Sequence, residues 1–274
     1  MKFYISADIE GIAGVVTREQ GGPQGFEYAE ARRWMTAEVR AASEVVLENG
    51  FDEVIVSDSH GNGQNLLLDE LPRGVHVVRS WPRPLSMMQG VETDGVTAAA
   101  FIGYHAGSTN MSGGLAHTMY GLVIQEVRVN GEVFSEAGIS AATAGHFGVP
   151  IVLICGDDIF VEETNQLLGE RTSVTTKRSH GTLSATTLLP SESCDAIRIG
   201  TAQAIENTNS VDLFVVDTPV QLQVEFKHRL VAELLEYLPF VDRVDSHTIS
   251  HSCADMVALN KFMKFVTFYN PTIM

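Results

Sequence analysis

One pattern recurs along this chain and restricts its fold more than any other feature: a short apolar run that ends abruptly in acids, histidine or glycine. It is seen in FYISADIEG from residue 3, DEVIVSDSHGNG from residue 52, TAAAFIGYHAG from residue 97 and PIVLICGDD from residue 150. Runs of this length, closed by polar or small residues, read as buried strands. Between the first two, from Glu27 to Asn49, the chain is rich in Ala, Glu and Arg. Met35, Val39, Ala42 and Val46 recur there at helical spacing, and Gly50 is the stop signal. Strand, helix and strand make a βαβ unit with a right-handed connection. The expected fold class is therefore α/β, a mostly parallel sheet with flanking helices. In such sheets ligands gather beyond the carboxyl ends of the strands, where Asp8, Glu10, His60 and His105 fall.

The first run poses a specific question. If the strand continues through ADIEG, Asp8 and Glu10 leave the backbone on the same side about 6.6 Å apart, and two anions so placed need a cation. If the strand has already ended, the pair sits in a solvated loop or caps a helix. Their companions are His60 after SDS, His105 in GYH, His117 in LAHT and Glu136 in SEAG. Carboxylate and imidazole together suit Zn²⁺. Asp8, Glu10, His60, His105 and Glu136 are too many ligands for one open zinc. They suit two metals about 3.5 to 4 Å apart bridged by a carboxylate, for which Asp8 is the choice. Taken singly, each has a plainer reading: a histidine after a strand as a loop residue, Glu136 as a dipole partner at a helix start, His117 as a surface side chain. His76, His146, His180, His228, His247 and His251 lack this context and read as structural.

The rest of the chain supplies the frame. Residues 106–116 are a glycine- and serine-rich loop, LVIQEVRVNGEVF alternates around an Asn130-Gly131 hairpin signal, and SEAGISAATAGHFG is helical. The stretch from Glu162 to Ser193 has no clear assignment. After it come a helix over 195–207, the strand QLQVEF, a helix near 228–238, the strand-like RVDSHTIS and a final helix from about Cys253. This alternation predicts a metal-binding catalytic α/β domain over 1–190 and a smaller C-terminal α/β domain or layer over 191–274. Cys155, Cys194 and Cys253 are far apart without CxxC spacing and read as inert thiols. With 34 acidic against 18 basic residues the formal net charge is -16, a field that repels phosphate backbones and anionic lipid, so neither nucleic acid nor a membrane surface is an expected partner. The first residues run directly into a strand, without the basic start and cleavage site of a signal peptide, and no apolar run approaches a membrane span, so the expected location is the cytoplasm.

Together, SADIEGIAG, SDSHGNGQN, GYHAG, LAHTM and GEVFSEAG resemble, in order and approximate spacing, the zinc D-aminopeptidase family typified by the enzyme of bacterial dipeptide-transport operons. The resemblance runs the whole length. It implies metal ligands at Asp8, Glu10, His60, His105 and Glu136, a catalytic histidine at His117, and two zinc ions per subunit. It also implies hydrolysis of N-terminal D-residues from short peptides and a homodecamer, a double pentameric ring whose inner cavity holds the active sites. The family proposal makes His117 a nucleophile; an imidazole with a reference pKa of about 6.5 equally suits a general acid or base. KRSHGTLSATTLLP and the C-terminal third match the family only loosely, which leaves substrate preference the least constrained feature. The same residues would also serve a dinuclear amidohydrolase acting on a non-peptide amide, or a non-catalytic metal- or peptide-binding protein. His117 and the glycine-rich loop argue against the last.

Overall fold

The computed structural model describes residues 1–269. Seven strands form the first sheet: β1 (Lys2–Ala7), β2 (Glu53–Asp58), β3 (Val75–Val78), β4 (Val96–Tyr104), β7 (Ile151–Asp157), β8 (Thr172–Gly181) and β9 (Ser184–Thr187). Their order is β3-β2-β1-β4-β7-β8-β9, and every pairing is parallel except the β8–β9 hairpin. The second sheet is antiparallel throughout, in the order β11-β12-β10-β5-β6, from β5 (Ile124–Val129), β6 (Glu132–Val133), β10 (Val220–Phe226), β11 (Asp242–Arg243) and β12 (Thr248–Cys253).

Six helices complete the chain: α1 (Tyr28–Glu48), α2 (Glu136–His146), α3 (Asp158–Leu168), α4 (Pro190–Glu206), α5 (Arg229–Leu235) and α6 (Met256–Phe268). Side chains of a strand alternate between faces. Phe3, Ile5 and Ala7 therefore pack with Met35, Val39 and Val46 of α1 and Ile197 of α4 on one face of the first sheet. On the other face Tyr4, Phe101 and Ile154 meet Ala137 and Ala141 of α2 and Phe160 of α3. Ile139 and Ala142 of α2 belong to a further core, built on Val224 and Phe226 of β10 and Leu259 of α6. Helix α2 is thus wedged between the two sheets and buried along nearly its whole length, which immobilises Glu136 at its start.

The two sheets do not divide at residue 190. Helix α4 begins there and packs on α1, while the second sheet takes β5 and β6 from the N-terminal half. Hydrophobic burial, which is indifferent to chain order, decides this interleaving. The last five residues of the expected 191–274 unit lie outside the described residues. The hairpin signal at Asn130-Gly131 does form the β5–β6 turn, with both residues at positive φ (51° and 90°), as a primed two-residue turn requires. The unassigned stretch from Glu162 holds the rest of α3, the β8–β9 hairpin and the start of α4.

Register explains what the fold positions. Ala7 at the end of β1 pairs with Asp58 of β2 on one side and Ile102 of β4 on the other. The chain turns from β1 to β2 in one direction and later returns to β4 in the other, so the carboxyl edge of β1 is a topological switch point. Asp8, His60 and His105 all follow directly from that edge.

Candidate metal centre

Strand β1 ends at Ala7, so Asp8 and Glu10 lie in the turn beyond it and not on the strand itself. The turn is nevertheless buried. Asp8 is 2 % exposed, as is His105, and Glu136 is 6 % exposed, which removes the solvated-loop reading for these groups. Close backbone packing holds the turn in place: Gly11 N–H donates to Gly103 O at 2.7 Å and Asp8 N–H to Ile102 O at 2.8 Å.

Two trios of potential metal ligands result, Asp8–Glu10–His60 and His105–His117–Glu136, each with donor atoms within 4.8 Å of one another. Asp8 joins them. Its Oδ1 lies 3.2 Å from His60 Nδ1 and its Oδ2 3.6 Å from His105 Nε2. Glu10 Oε2 is 2.9 Å from His60 Nδ1, and Glu136 Oε1 is 3.4 Å from His105 Nε2 and 3.6 Å from His117 Nε2. All six residues singled out in the sequence therefore converge.

Each imidazole is oriented by a carbonyl on its far side. His60 Nε2 is 2.6 Å from Gly21 O, His105 Nδ1 is 2.9 Å from Ala106 O and His117 Nδ1 is 2.9 Å from Leu115 O. A carbonyl only accepts, so in each neutral ring the proton sits on that nitrogen and the lone pair of the other faces the centre. Leu115 and Met119, on either side of His117, both have left-handed backbones (φ 52° and 60°), a conformation that costs energy for residues other than glycine. Met119 N–H donates to Glu136 Oε1 at 2.7 Å, which ties the His117 loop to α2.

The electrostatics are those of a cation site. Burial opposes the charge on every member. Even so, the His60 imidazole holds Glu10 well below the usual carboxylate range, and Glu10 and Asp8 in turn raise His60 well above 6.5. Burial and the charge of Glu10 push Asp8 up to about 7. Against burial, the hydrogen bond and charge of Glu136 raise His105 to about 10. Burial and the neighbouring His105 charge depress His117. Within the protein alone, protons balance these carboxylates. Glu10 Oε2 and His105 Nε2 are buried and have no hydrogen-bond partner outside the centre, their near neighbours being His60 Nδ1 and Glu136 Oε1, which fits atoms reserved for a metal.

Sequence reasoning missed the groups that hold the centre in shape. Lys177 of β8 is buried, and its ammonium donates to the carbonyls of Glu10, Ile12 and Val15, clamping the turn that carries Asp8 and Glu10. Asp58 accepts from the backbone of Asn65 and Leu66 and from the Asn65 side chain, which itself donates to His60 O at 2.8 Å. Two cavities flank the centre. One of about 290 Å³ is bordered by Glu136, Trp81 and Lys264, and one of about 250 Å³ by Glu10, His60, His117 and Arg18; Met119 and Tyr120 border both.

Paired carboxylate and imidazole trios at the switch point of a parallel sheet, open to small cavities on both sides, define a metal-dependent hydrolase. The chain belongs to the D-aminopeptidase family, whose model matches residues 1–265, and its class is that of a peptidase. The D-aminopeptidase of Bacillus subtilis is 29% identical over 271 residues, 97% of each chain. The solved structure of the zinc-dependent D-aminopeptidase DppA from Bacillus subtilis, a self-compartmentalizing protease, matches with a TM-score of 0.93 at 26% identity over 97% of each chain. The α/β class expected from the strand pattern is the fold of that relative. Among the described residues no helix is long and apolar enough to cross a membrane.

Proposed function

We propose that this chain is a two-zinc aminopeptidase that removes N-terminal residues, D-residues by preference, from short peptides in the cytoplasm. The observation that carries this reading is the joining of the two trios through Asp8, with Glu10 Oε2 and His105 Nε2 buried and without a hydrogen-bond partner outside the centre. Asp8, Glu10 and His60 would hold one ion, and His105 and Glu136, together with Asp8, would hold the other. Zinc bound there supplies a Lewis acid for the peptide carbonyl and acidifies water towards a pKa of roughly 7.

The protein's own groups do the rest. His117, neutral and with Nε2 facing the centre, takes up a proton and returns it to the leaving amine. Leu115 O, which accepts from Nδ1 at 2.9 Å, orients that ring, and Nε2 stands 3.6 Å from Glu136 Oε1. The chain binds as a closed homo-oligomer, a decameric double ring. That reading is supported by the self-compartmentalizing relative and by exposed apolar side chains such as Phe26, Met111 and Tyr237.

The test is a single preparation. Elemental analysis should give two zinc equivalents per chain, D-alanyl-D-alanine should be cleaved faster than L-alanyl-L-alanine, and chelation should abolish both activities. Light scattering should report close to ten chains. Protein that binds no zinc when it is supplied, or that cleaves dipeptides equally well after chelation, would remove the reading.

A further inference from the structure

The cavity of about 290 Å³ beside Glu136 contains a cation with no task. Lys264, on the last turns of α6, is only 9 % exposed, yet among the described residues its ammonium makes no hydrogen bond or ion pair. It rests against aromatic faces instead, with Nζ 3.9 Å from the Trp81 ring centroid and 4.3 Å from that of Phe268. Arg83 lies over the same indole at 3.9 Å, but each of its three nitrogens already donates, to Ser80 O, Ser57 Oγ and Asp58 O. The two cations thus share one ring, and of the two Lys264 is the one whose nitrogen donates to nothing among the described residues.

An ammonium largely enclosed by protein, with only the cavity to face and no protein acceptor, is held at a cost, the more so when a second cation lies close by. Burial and Arg83 lower the Lys264 pKa to about 8, and the opposing pull comes from Glu136, which places the ammonium within the field of the metal centre. The aromatic walls keep the ammonium charged and fix its position while leaving its three N–H groups to an incoming anion.

Building on the peptidase reading, we infer that Lys264 binds the terminal carboxylate of the peptide substrate in the cavity bounded by Trp81, Phe268 and Glu136. A single Cα separates the scissile nitrogen of a dipeptide from its carboxylate, so a site that borders both a metal-ligating residue and a free ammonium fits the shortest peptides. The amine product leaves with that carboxylate still attached. Among 34 acidic side chains, an unpaired lysine at this point is what lets an anionic peptide end approach. Charge-assisted hydrogen bonds of this kind contribute about 1.5 to 3 kcal/mol, or about 10- to 100-fold in affinity.

The experiment compares acid and carboxamide forms of one ligand on the zinc-loaded protein. Titration calorimetry uses the analogue of D-alanyl-D-alanine in which CH₂–NH replaces the amide, as acid and as carboxamide, and turnover is measured in parallel with D-alanyl-D-alanine and its carboxamide. The acid should bind at least tenfold tighter than the carboxamide to the wild type. That preference should fall to about one in Lys264→Met and persist in part in Lys264→Arg, with the turnover difference carried by KM. Equal binding of acid and carboxamide by the wild type overturns the inference while leaving the peptidase reading intact. Acid-selective binding without hydrolysis of either peptide would instead sink the peptidase reading and support the subsite. A preference that survives unchanged in Lys264→Met would assign the carboxylate to another group and overturn the role of Lys264.

Discussion

The imidazole rings of His105 and His117 stack at a centroid distance of 4.2 Å with their planes 7° apart, and both Nε2 atoms point at the same oxygen, Glu136 Oε1. Two imidazolium ions cannot comfortably occupy that arrangement. With no metal in the centre, Glu136 favours a proton on His105, and the His105 charge then joins burial in lowering the pKa of His117. One carboxylate thereby divides two adjacent histidines into different states. Histidines separated by twelve positions in sequence acquire distinct chemistry from their environment alone.

That division gives the first prediction. His105→Ala should lose most of its zinc, because His105 Nε2 is a buried donor with no other partner. His117→Ala should keep its zinc and lose on the order of 10²- to 10⁴-fold in kcat, the range typical of a general acid or base. Metal content and steady-state turnover of the two variants check this. Equal zinc loss in both would make His117 a ligand, a position its place in the second trio also permits.

Lys177 gives the second. Its ammonium spans three carbonyls of the turn that follows β1, with the Ile12 contact at 3.2 Å, and contacts no donor atom of either trio. Lys177→Met should leave those carbonyls without their partner, loosen Asp8 and Glu10, and weaken zinc binding by about 10- to 100-fold, as is common when groups behind metal ligands are removed. Competition with a chromogenic chelator reads the affinity directly. Unchanged affinity would mean that the backbone contacts of Gly11 and Asp8 suffice to hold the turn.

The contrast between these residues shows what the sequence made legible. The candidate metal-site acids and histidines stood out because they interrupt or follow apolar runs, where their chemistry is out of place. Lys177 did not. It sits in TSVTTKRSHG, within the stretch from Glu162 to Ser193 that has no clear assignment from sequence, and its burial follows from β8 lying against the turn after β1, 162 to 167 residues away in sequence. Lys264 was hidden for a similar reason, since the aromatic walls around it come from α6 itself and from Trp81 in a distant loop. Long-range approach also explains why the interleaving of the two sheets across residue 190 was not visible: the alternation that marks strands says nothing about which sheet they join. Asp8 and Glu10 do come together, but for a different local reason. A buried turn, and not the two-residue period of a strand, brings Asp8 and Glu10 to one place.

The third prediction tests that turn. A Cβ on Gly11 would stand 1.8 Å from Tyr104 O, and one on Gly103, already at φ +73°, would stand 2.3 Å from Asp8 O. Both obstacles are backbone atoms that no rotamer change can move. Gly11→Ala and Gly103→Ala should therefore each destabilise the protein by about 4 kcal/mol or more, at the severe end for single substitutions, and should lower zinc content with it. Gly50→Ala is the control, since a Cβ there meets nothing within 4 Å and only its positive φ is penalised. Denaturant unfolding of the three variants should separate the first two clearly from the third.

The fourth prediction concerns Glu38, buried on α1 at 0 % exposure. Its Oε1 accepts from Ala13 N–H at 3.0 Å and from Ser193 Oγ at 2.8 Å, while Oε2 has no partner. Burial raises its pKa from 4.5 to about 7, with the two hydrogen bonds and the Lys177 charge pulling the other way. A carboxyl whose folded pKa is raised stabilises the fold below its unfolded pKa, and that contribution is lost as pH rises to the folded value. Between about pH 4.5 and 7 the folded chain keeps a proton that the unfolded chain has released, so stability from this group falls across that window and is level above it. Glu38→Gln keeps an acceptor for Ala13 and Ser193 but cannot ionise. Relative to the wild type its thermal midpoint should rise steadily from pH 4.5 to 7 and then hold, a change on the order of 3 kcal/mol at most. Taking the difference between variant and wild type at each pH cancels the loss of zinc that both suffer in acid. A difference that stays constant from pH 4.5 to 8 would show that Glu38 is ionised in the folded protein, with Lys177 and not a proton as its counter-charge.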